Sequence, residues 1–382
     1  MAGVAVSPEI LKWAARRARK EDSIHLQFKN WSKWISKETQ PTLKQLEHVS
    51  KATATPLGFF FLTKPPIEKL PIPHYRTMGN SQTNGPSPDL IETVQTMERR
   101  QQWMRDYLVH RGNQPLDFVG KAAKGVDERL IASAIRKKLG LSNGWASSCS
   151  TWQEALRMLL QRIESIGILV VVNGVVGNNT HRKLDVAEFR GFVLVDEYAP
   201  LVFVNGSDGK AAQMFSLAHE LAHVWYGASA IFDLQKLHPA DDEMERACNA
   251  VAAEFLVPEK ELTGMWSAFT GSTELFQLAA RHFKVSELVV ARRSLDLRLI
   301  SKDEFFDFYE RRLVIEAQGS QSSAGGNFYA TQNYRVGRRF AEAVIKATLE
   351  GKILYREAYS LTGLKGKTFT EYAARLGLGE GV

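Results

Sequence analysis

Apolar residues recur three or four positions apart through most of the chain, which is the spacing of one face of a helix. Ser7 before Pro8, and Thr42 after Pro41, are residue types typical of helix starts. Ser286 is a cap that divides the segment 273–300 into two helices. The predicted helices are 7–20, short helices within 24–35, one beginning at 42, then 90–111, 127–139, 152–166, 241–258 and the pair within 273–300.

Three short runs have the composition of strands instead. They are 168–172 (ILVVV), 189–195 (FRGFVLV) and 201–204 (LVFV), and Gly, Asn, Asp and Pro residues bound them. They predict a small sheet directly before a long apolar helix. The predicted fold class is therefore α+β, mainly α.

Breaks in the pattern predict four parts. Residues 63–89 hold six prolines and two glycines, which is typical of a linker, and 317–326 (AQGSQSSAGG) is a second flexible break. We expect a helical module at 1–66, a linker at 67–92, a main domain at 93–316 and a helical C-terminal extension at 317–382.

Composition narrows the class of protein. The chain has 382 residues, 44% of them hydrophobic and 24% charged, as in an ordinary globular protein. No apolar run reaches the length of a membrane span, and the N-terminus lacks the apolar core of a signal peptide. Cys149 and Cys248 are too few for a disulfide framework. We expect a cytoplasmic protein, no membrane partner and two buried cysteines.

The net charge of +7 is concentrated at one end. Residues 1–70 hold 12 Lys and Arg against 6 Asp and Glu. A basic end module is a candidate for phosphate contacts with DNA. A solvated basic helix face explains the same charge equally well.

The stretch 215–226, FSLAHELAHVWY, contains His-Glu-x-x-His as His219, Glu220 and His223. Positions i and i+4 share one helix face, so both imidazoles can reach one metal ion. Glu220 is placed to take a proton from metal-bound water, as in a metal-dependent peptidase. The pattern also arises by chance, but the apolar flanks predict a buried helix, where unpartnered polar groups are costly.

A catalytic zinc needs a third protein ligand, which the helix within 241–258 can supply. Glu245 lies on it, with Asn249 one turn later to orient a ligating histidine through its free ring nitrogen. Glu243 is the rival ligand. An acidic cluster favouring the helix dipole explains Asp241, Asp242 and Glu243 without any metal.

The paired stretches FSLAHELAH and MERACNAVAAEFLVP resemble the ImmA/IrrE family of metallo-endopeptidases over about residues 160–300. The resemblance implies zinc held by His219, His223 and Glu245, with Glu220 as the base. Cys248 stands where the family usually has Ala, and Val251 where it has Phe; both changes stay apolar. Strands directly before an HExxH helix are what a zincin-like domain needs, and an edge strand of that sheet would hold an extended substrate.

The stretch 31–62 resembles the helix-turn-helix (HTH) domain of XRE-type repressors as it occurs ahead of some ImmA/IrrE domains. The usual Glu and Gly are not both present after Trp34, so a helical module for protein contacts is an open alternative. Residues 327–377 resemble the C-terminal extension of longer family members.

Together these resemblances imply a zinc endopeptidase that cuts a repressor-like regulator in a phage, mobile-element or stress response. The alternative is a DNA-binding regulator or antitoxin whose zinc fold binds a partner such as a cognate toxin. A neighbouring toxin gene would favour the alternative.

Overall fold

The computed structural model of the chain describes residues 3–68, 85–232, 243–269, 274–318 and 331–379. The chain divides into two compact units, Met1–Met97 and Glu98–Val382, and the division lies within helix α5 (Pro88–His110). The described residues are mainly helical with two small sheets, which confirms the predicted α+β, mainly α class. The boundaries between the four predicted parts stay predictions, and residues 69–84 of the predicted linker lie outside the described residues.

The first unit is a set of short helices around its own core. These are α1 (Pro8–Arg17), α2 (Glu21–Gln27), α3 (Trp31–Ile35) and α4 (Leu43–Thr53), followed by a 3₁₀ turn, Leu57–Phe61. Thr42 and Gln45 form a reciprocal capping box at α4, which confirms the helix start predicted there. Ile10, Leu46 and both tryptophans of α3 are buried in the core. The XRE-like assignment stays a prediction.

The second unit contains a mixed sheet. Its strands are β1 (Leu169–Asn173), β4 (Gly191–Leu194), β5 (Leu201–Asn205) and β6 (Ala230–Phe232), in the order β1-β5-β4-β6. β1 runs parallel to β5, whereas β4 is antiparallel to both β5 and β6. β1, β4 and β5 are the three predicted runs, so those predictions are confirmed.

A separate hairpin, β2 (Val175–Val176) with β3 (Asn179–Lys183), was not predicted. β3 reads NTHRK and is largely exposed, so it has no apolar alternation to recognise. Gly177 turns the hairpin with φ +56°, a conformation that favours glycine.

Helices surround the sheet. They are α6 (Glu128–Lys138), α7 (Trp152–Ser165), α8 (Lys210–Tyr226), α9 (Glu243–Leu256), α10 (Glu259–Phe269), α11 (Leu275–Phe283), α12 (Glu287–Asp296) and α13 (Lys302–Gln318). α8 packs against β4, β5 and α9, at the centre of the main core. Ser286 caps α12 through the Val289 amide at 3.2 Å, as predicted. No helix in the described ranges has the length and apolar character needed to cross a bilayer.

The C-terminal part is helical, as predicted. A π-helical turn, Asn333–Gly337, leads into α14 (Arg338–Leu349), α15 (Tyr355–Thr362) and α16 (Gly366–Arg375). The turn packs against β1, and a Cβ on Gly337 (φ +83°) would lie 2.8 Å from the Val170 carbonyl oxygen. Only glycine therefore fits this approach. The predicted break at 317–326 lies outside the described residues except for its first two positions.

Candidate metal centre

Helix α8 carries the His-Glu-x-x-His motif through the middle of the core. Leu217, Leu221 and Val224 are fully buried, as the apolar flanks of the motif predict. Gly227 ends the helix in the left-handed conformation at φ +74°. The three polar side chains of the motif are as buried as their apolar neighbours: His219, Glu220 and His223 each have 0% exposure.

The two histidines and one carboxylate from α9 converge. The Nε2 atoms of His219 and His223 are 3.1 Å apart. Glu245 places its carboxylate oxygens 3.2 Å from His219 Nε2 and 3.3 Å from His223 Nε2. One donor atom from each residue lies within 4.8 Å of the others. Two imidazole nitrogens and a carboxylate are a donor set that suits zinc.

Asn249 fixes the orientation of the first histidine. Its Oδ1 lies 3.0 Å from His219 Nδ1. An amide oxygen can only accept, so we assign the ring proton to Nδ1, which leaves a lone pair on Nε2. Burial lowers the pKa of His219, although the nearby Glu245 carboxylate acts in the opposite direction, and a lowered pKa favours the neutral ring that a metal ligand needs.

Glu220 lies beside this donor set without a partner. Both of its carboxylate oxygens are buried and make no hydrogen bond among the described residues, and the same is true of His223 Nδ1. Burial raises the pKa of the Glu220 carboxyl well above its usual range, and the charge of Glu245 adds to this. A buried carboxylate without a partner is costly, so this arrangement fits a site in which a ligand supplies the missing interactions.

Gly191 on β4 is a site residue that the sequence analysis missed. A Cβ at this position would lie 3.0 Å from Glu220 Oε1 and 2.9 Å from the Phe203 carbonyl oxygen. The absence of a side chain therefore lets β4 approach the Glu220 carboxylate closely. An isolated glycine inside a strand run was the available signal.

The structure separates Glu243 from the donor set. Glu243 is the first residue of α9 and is exposed, whereas Glu245 turns inward. Asp241 and Asp242 lie outside the described residues. Cys248 is fully buried and reduced, and Cys149 is also buried and reduced, which confirms the prediction for both cysteines.

A second buried polar cluster lies at the other end of α9. Glu254 forms an ion pair with Arg293 of α12 and accepts a hydrogen bond from the Glu259 amide at 3.2 Å. Arg293 Nε also donates to the Val257 carbonyl oxygen at 3.2 Å. This cluster borders an open polar cleft of about 350 Å³, which none of the motif residues lines. No spacing pattern in the sequence indicates that these two residues pair.

The buried donor set and the adjacent glutamate define a metallopeptidase-type centre. The comparisons with known proteins agree with this class. Residues 163–295, about a third of the chain, match the M78 peptidase family model, described as IrrE N-terminal-like domain. This segment is thus similar to metallopeptidases of the ImmA/IrrE type, which confirms that part of the predicted resemblance.

A further match covers residues 336–375 and is described as a domain of unknown function (DUF8813). No curated protein and no solved structure matches the chain.

Proposed function

We propose that the protein is a cytoplasmic zinc-dependent endopeptidase that cleaves a repressor-like regulatory protein. The convergence of His219, His223 and Glu245 beside Glu220, whose carboxylate has no partner within the described ranges, carries this proposal. The family match supports the peptidase class, and the choice of a regulator as substrate rests on the ImmA/IrrE resemblance.

His219 and His223 would hold zinc through Nε2, and Glu245 through its carboxylate. Zinc bound there would supply Lewis acidity toward the attacking water and the scissile carbonyl. Three protein ligands are the number typical of catalytic zinc sites, so this donor set would not fill the coordination shell of the ion. Asn249 would keep His219 in the tautomer that ligates.

Glu220 performs the proton transfers in this proposal. It is the first residue after a ligand, it is fully buried, and the charge of the Glu245 carboxylate acts on it. As general base it takes a proton from the attacking water; as general acid it gives that proton to the leaving amine. Its burial keeps bulk water from competing for the proton and raises the basicity of the carboxylate.

We place an extended substrate segment along β6. The β1 edge of the sheet is covered by the turn that contains Gly337. The opposite edge is formed by β6, which pairs only with β4 among the described strands, and β4 carries Gly191 beside Glu220. Backbone hydrogen bonds to such an edge hold extended chain regardless of side-chain identity.

The first test measures metal and cleavage together. Zinc content is measured for the wild-type chain and for Glu220→Gln, and each is incubated with the product of the adjacent gene. We expect about one zinc per chain in both proteins, since Glu220 is not a ligand, and cleavage only by the wild type. Cleavage by both proteins, or no zinc in either, would contradict the proposal.

A second candidate is the regulator or antitoxin function, with DNA or a cognate toxin as partner. The basic N-terminal unit with its own buried core favours it, because such a unit can act as a separate binding module. Zinc in both proteins without cleavage, together with a stable complex with the toxin or operator DNA, would support this candidate over the peptidase.

A further inference from the structure

Helices α15 and α16 are joined by a tight turn. Only residues 363–365 separate them, and Gly363 adopts φ +72° while its amide donates to the Tyr359 carbonyl oxygen at 2.9 Å. Thr362 Oγ1 donates to the Ala358 carbonyl oxygen and accepts from the Leu364 amide. A three-residue turn that contains glycine is the type of connection that joins the two helices of a DNA-binding HTH.

The two helices contact each other through aromatic side chains, of which Phe369 is buried and Tyr355 is half exposed. Phe369 of α16 makes edge contacts with Tyr359, at 5.4 Å between ring centroids, and with Tyr355, at 6.1 Å. The buried positions recur along both helices and the turn: Ala358, Thr362, Leu364, Phe369 and Tyr372 are each at most 3% exposed. One face of the helix pair is therefore fixed in the core, and the other is left to solvent.

The pair is also anchored to the rest of its unit. Tyr372 donates from its hydroxyl to Asn333 Oδ1 at 2.9 Å. Arg100 of α5 donates from Nε to the Leu361 carbonyl oxygen at 2.9 Å. These contacts fix the buried side of both helices to the rest of the unit. The solvent-exposed side of the pair therefore has a fixed position.

The solvent-exposed face of the helix pair is basic at the N-terminal end of α16. In an HTH protein this end of the second helix contacts DNA. Lys365 and Lys367 lie at the N-terminal end of α16, and the Lys367 side chain is 90% exposed. Thr370 and Arg375 continue the exposed face. Glu371 lies 3.5 Å from Lys367, but this surface pair is solvated and offsets little of the charge.

The sequence around the two helices also has more basic than acidic residues. Residues 338–379 contain eight Lys and Arg against four Glu. The positive end of the α16 dipole adds to the attraction for phosphate. In HTH proteins the second helix enters the major groove with its N-terminal residues at the base edges, while the first crosses the backbone.

From these observations we infer that α15 and α16 form a C-terminal DNA-binding site, with α16 in the major groove of double-stranded DNA. Lys365 and Lys367 contact phosphates at the groove edge, and the exposed side of α16, including Thr370, faces the bases. This inference does not depend on the peptidase activity or on the N-terminal module.

The test measures binding of the full-length chain to DNA by fluorescence anisotropy. The probe is a labelled duplex of mixed sequence, about 30 base pairs or roughly three helical turns long. Salt is varied from about 0.05 to 0.2 M, since the slope of log K against log salt reports phosphate contacts. The variant is Lys365→Ala/Lys367→Ala. The control, Lys137→Ala/Lys260→Ala, removes two exposed lysines elsewhere in the same unit.

We expect the α16 variant to bind about tenfold or more weakly at 0.1 M salt, with a slope lower by about 2. The control should stay within about twofold of the wild type, because its lysines lie outside the proposed interface. Both variants should keep the wild-type circular dichroism spectrum and melting temperature, as all four side chains are exposed.

Four results would overturn the inference. The wild-type chain fails to bind the duplex, or both variants lose affinity equally, or polyglutamate competes as well as unlabelled DNA does. The third result would identify an acidic protein surface as the partner. Binding that survives the α16 variant but is lost on Lys29→Ala/Lys33→Ala would place the DNA site in the N-terminal module instead.

Discussion

Helix α9 carries a buried polar cluster at each end, and the two clusters differ in how completely their atoms are paired. At the first turns, Glu245 and Asn249 face the two motif histidines, and Glu220 beside them has no partner among the described residues. At the last turn, Glu254 and Arg293 are paired with each other and with backbone groups. A cluster whose polar atoms are all paired stabilises the packing of the helices that carry it. Buried polar atoms without partners in a well-packed core instead indicate a site where a ligand supplies the missing interactions.

The largest expected effect is a loss of cleavage activity, which a change at Glu220 should cause and a change at Glu254 should not. Glu220→Gln should lower the cleavage rate by about 10²–10⁴-fold, because the amide cannot accept the proton. Its melting temperature should not fall, since a buried amide costs less than a buried carboxylate. Initial cleavage rates and thermal melts measure the two quantities.

Glu254→Gln is the matched control at the other end of the same helix. It should keep cleavage within a few-fold of the wild type at a temperature where both proteins are folded. Equal losses of activity in the two variants would mean that both clusters serve the same role.

The next effect concerns stability. Arg293→Met leaves Glu254 buried without its cation and should lower the free energy of unfolding by about 3–5 kcal/mol. Arg293→Met/Glu254→Leu removes both charges and should recover most of that loss. Urea titrations of the three proteins, with zinc content per folded chain, test this. A double variant no more stable than the single one would show that the ion pair is not the source.

Glu164 gives an intermediate case, a largely buried carboxyl that accepts hydrogen bonds from backbone amides. Burial raises its pKa to about 7, although the Arg339 amide donates to it at 3.1 Å. A raised native pKa means that the native state holds the proton more tightly, so stability is lost as the pH rises from about 4.5 to 7. The loss is at most about 3 kcal/mol.

Glu164→Gln should flatten this part of the stability profile, because an amide does not titrate. The measurement is the difference in unfolding free energy between wild type and variant at several pH values from about 5 to 8. A difference that stays constant with pH would exclude Glu164 as the titrating group.

Local signals were enough to predict the parts of the site that lie close together in sequence. The i, i+4 spacing of His219 and His223 determines their shared face, and Ser286 and Thr42 mark helix starts through bonds to residues three positions on. Glu243 and Glu245 are only two residues apart, so choosing between them needs the rotation of α9 about its own axis. Tertiary packing sets that rotation.

These local signals could not predict contacts between residues that are far apart in the sequence. Gly191 meets Glu220 only because β4 packs on α8, and Glu254 meets Arg293 across two helices. The C-terminal extension covers the β1 edge through an approach between Gly337 and Val170, which are far apart in sequence. Short spacing patterns contain no information on such pairings.

The smallest expected effect is on zinc affinity and concerns Asn249, which contacts His219 and is not itself a predicted ligand. Asn249→Ala should weaken zinc binding by about 10–100-fold, because His219 loses the acceptor that fixes its tautomer. Asn249→Asp keeps an oxygen acceptor at this position and should lose less. Competition with a chelator of known affinity measures each dissociation constant.

Asn205→Ala is the matched control, because Asn205 is a fully buried asparagine at the end of β5 that bonds to the Phe189 carbonyl oxygen and the Ser207 amide. It should lower stability and leave the zinc dissociation constant unchanged. If Asn249→Ala also lowered only stability, Asn249 would belong with Glu254 and Arg293 as a packing contact. The cluster at the first turns of α9 would then consist of the three ligands and Glu220 alone.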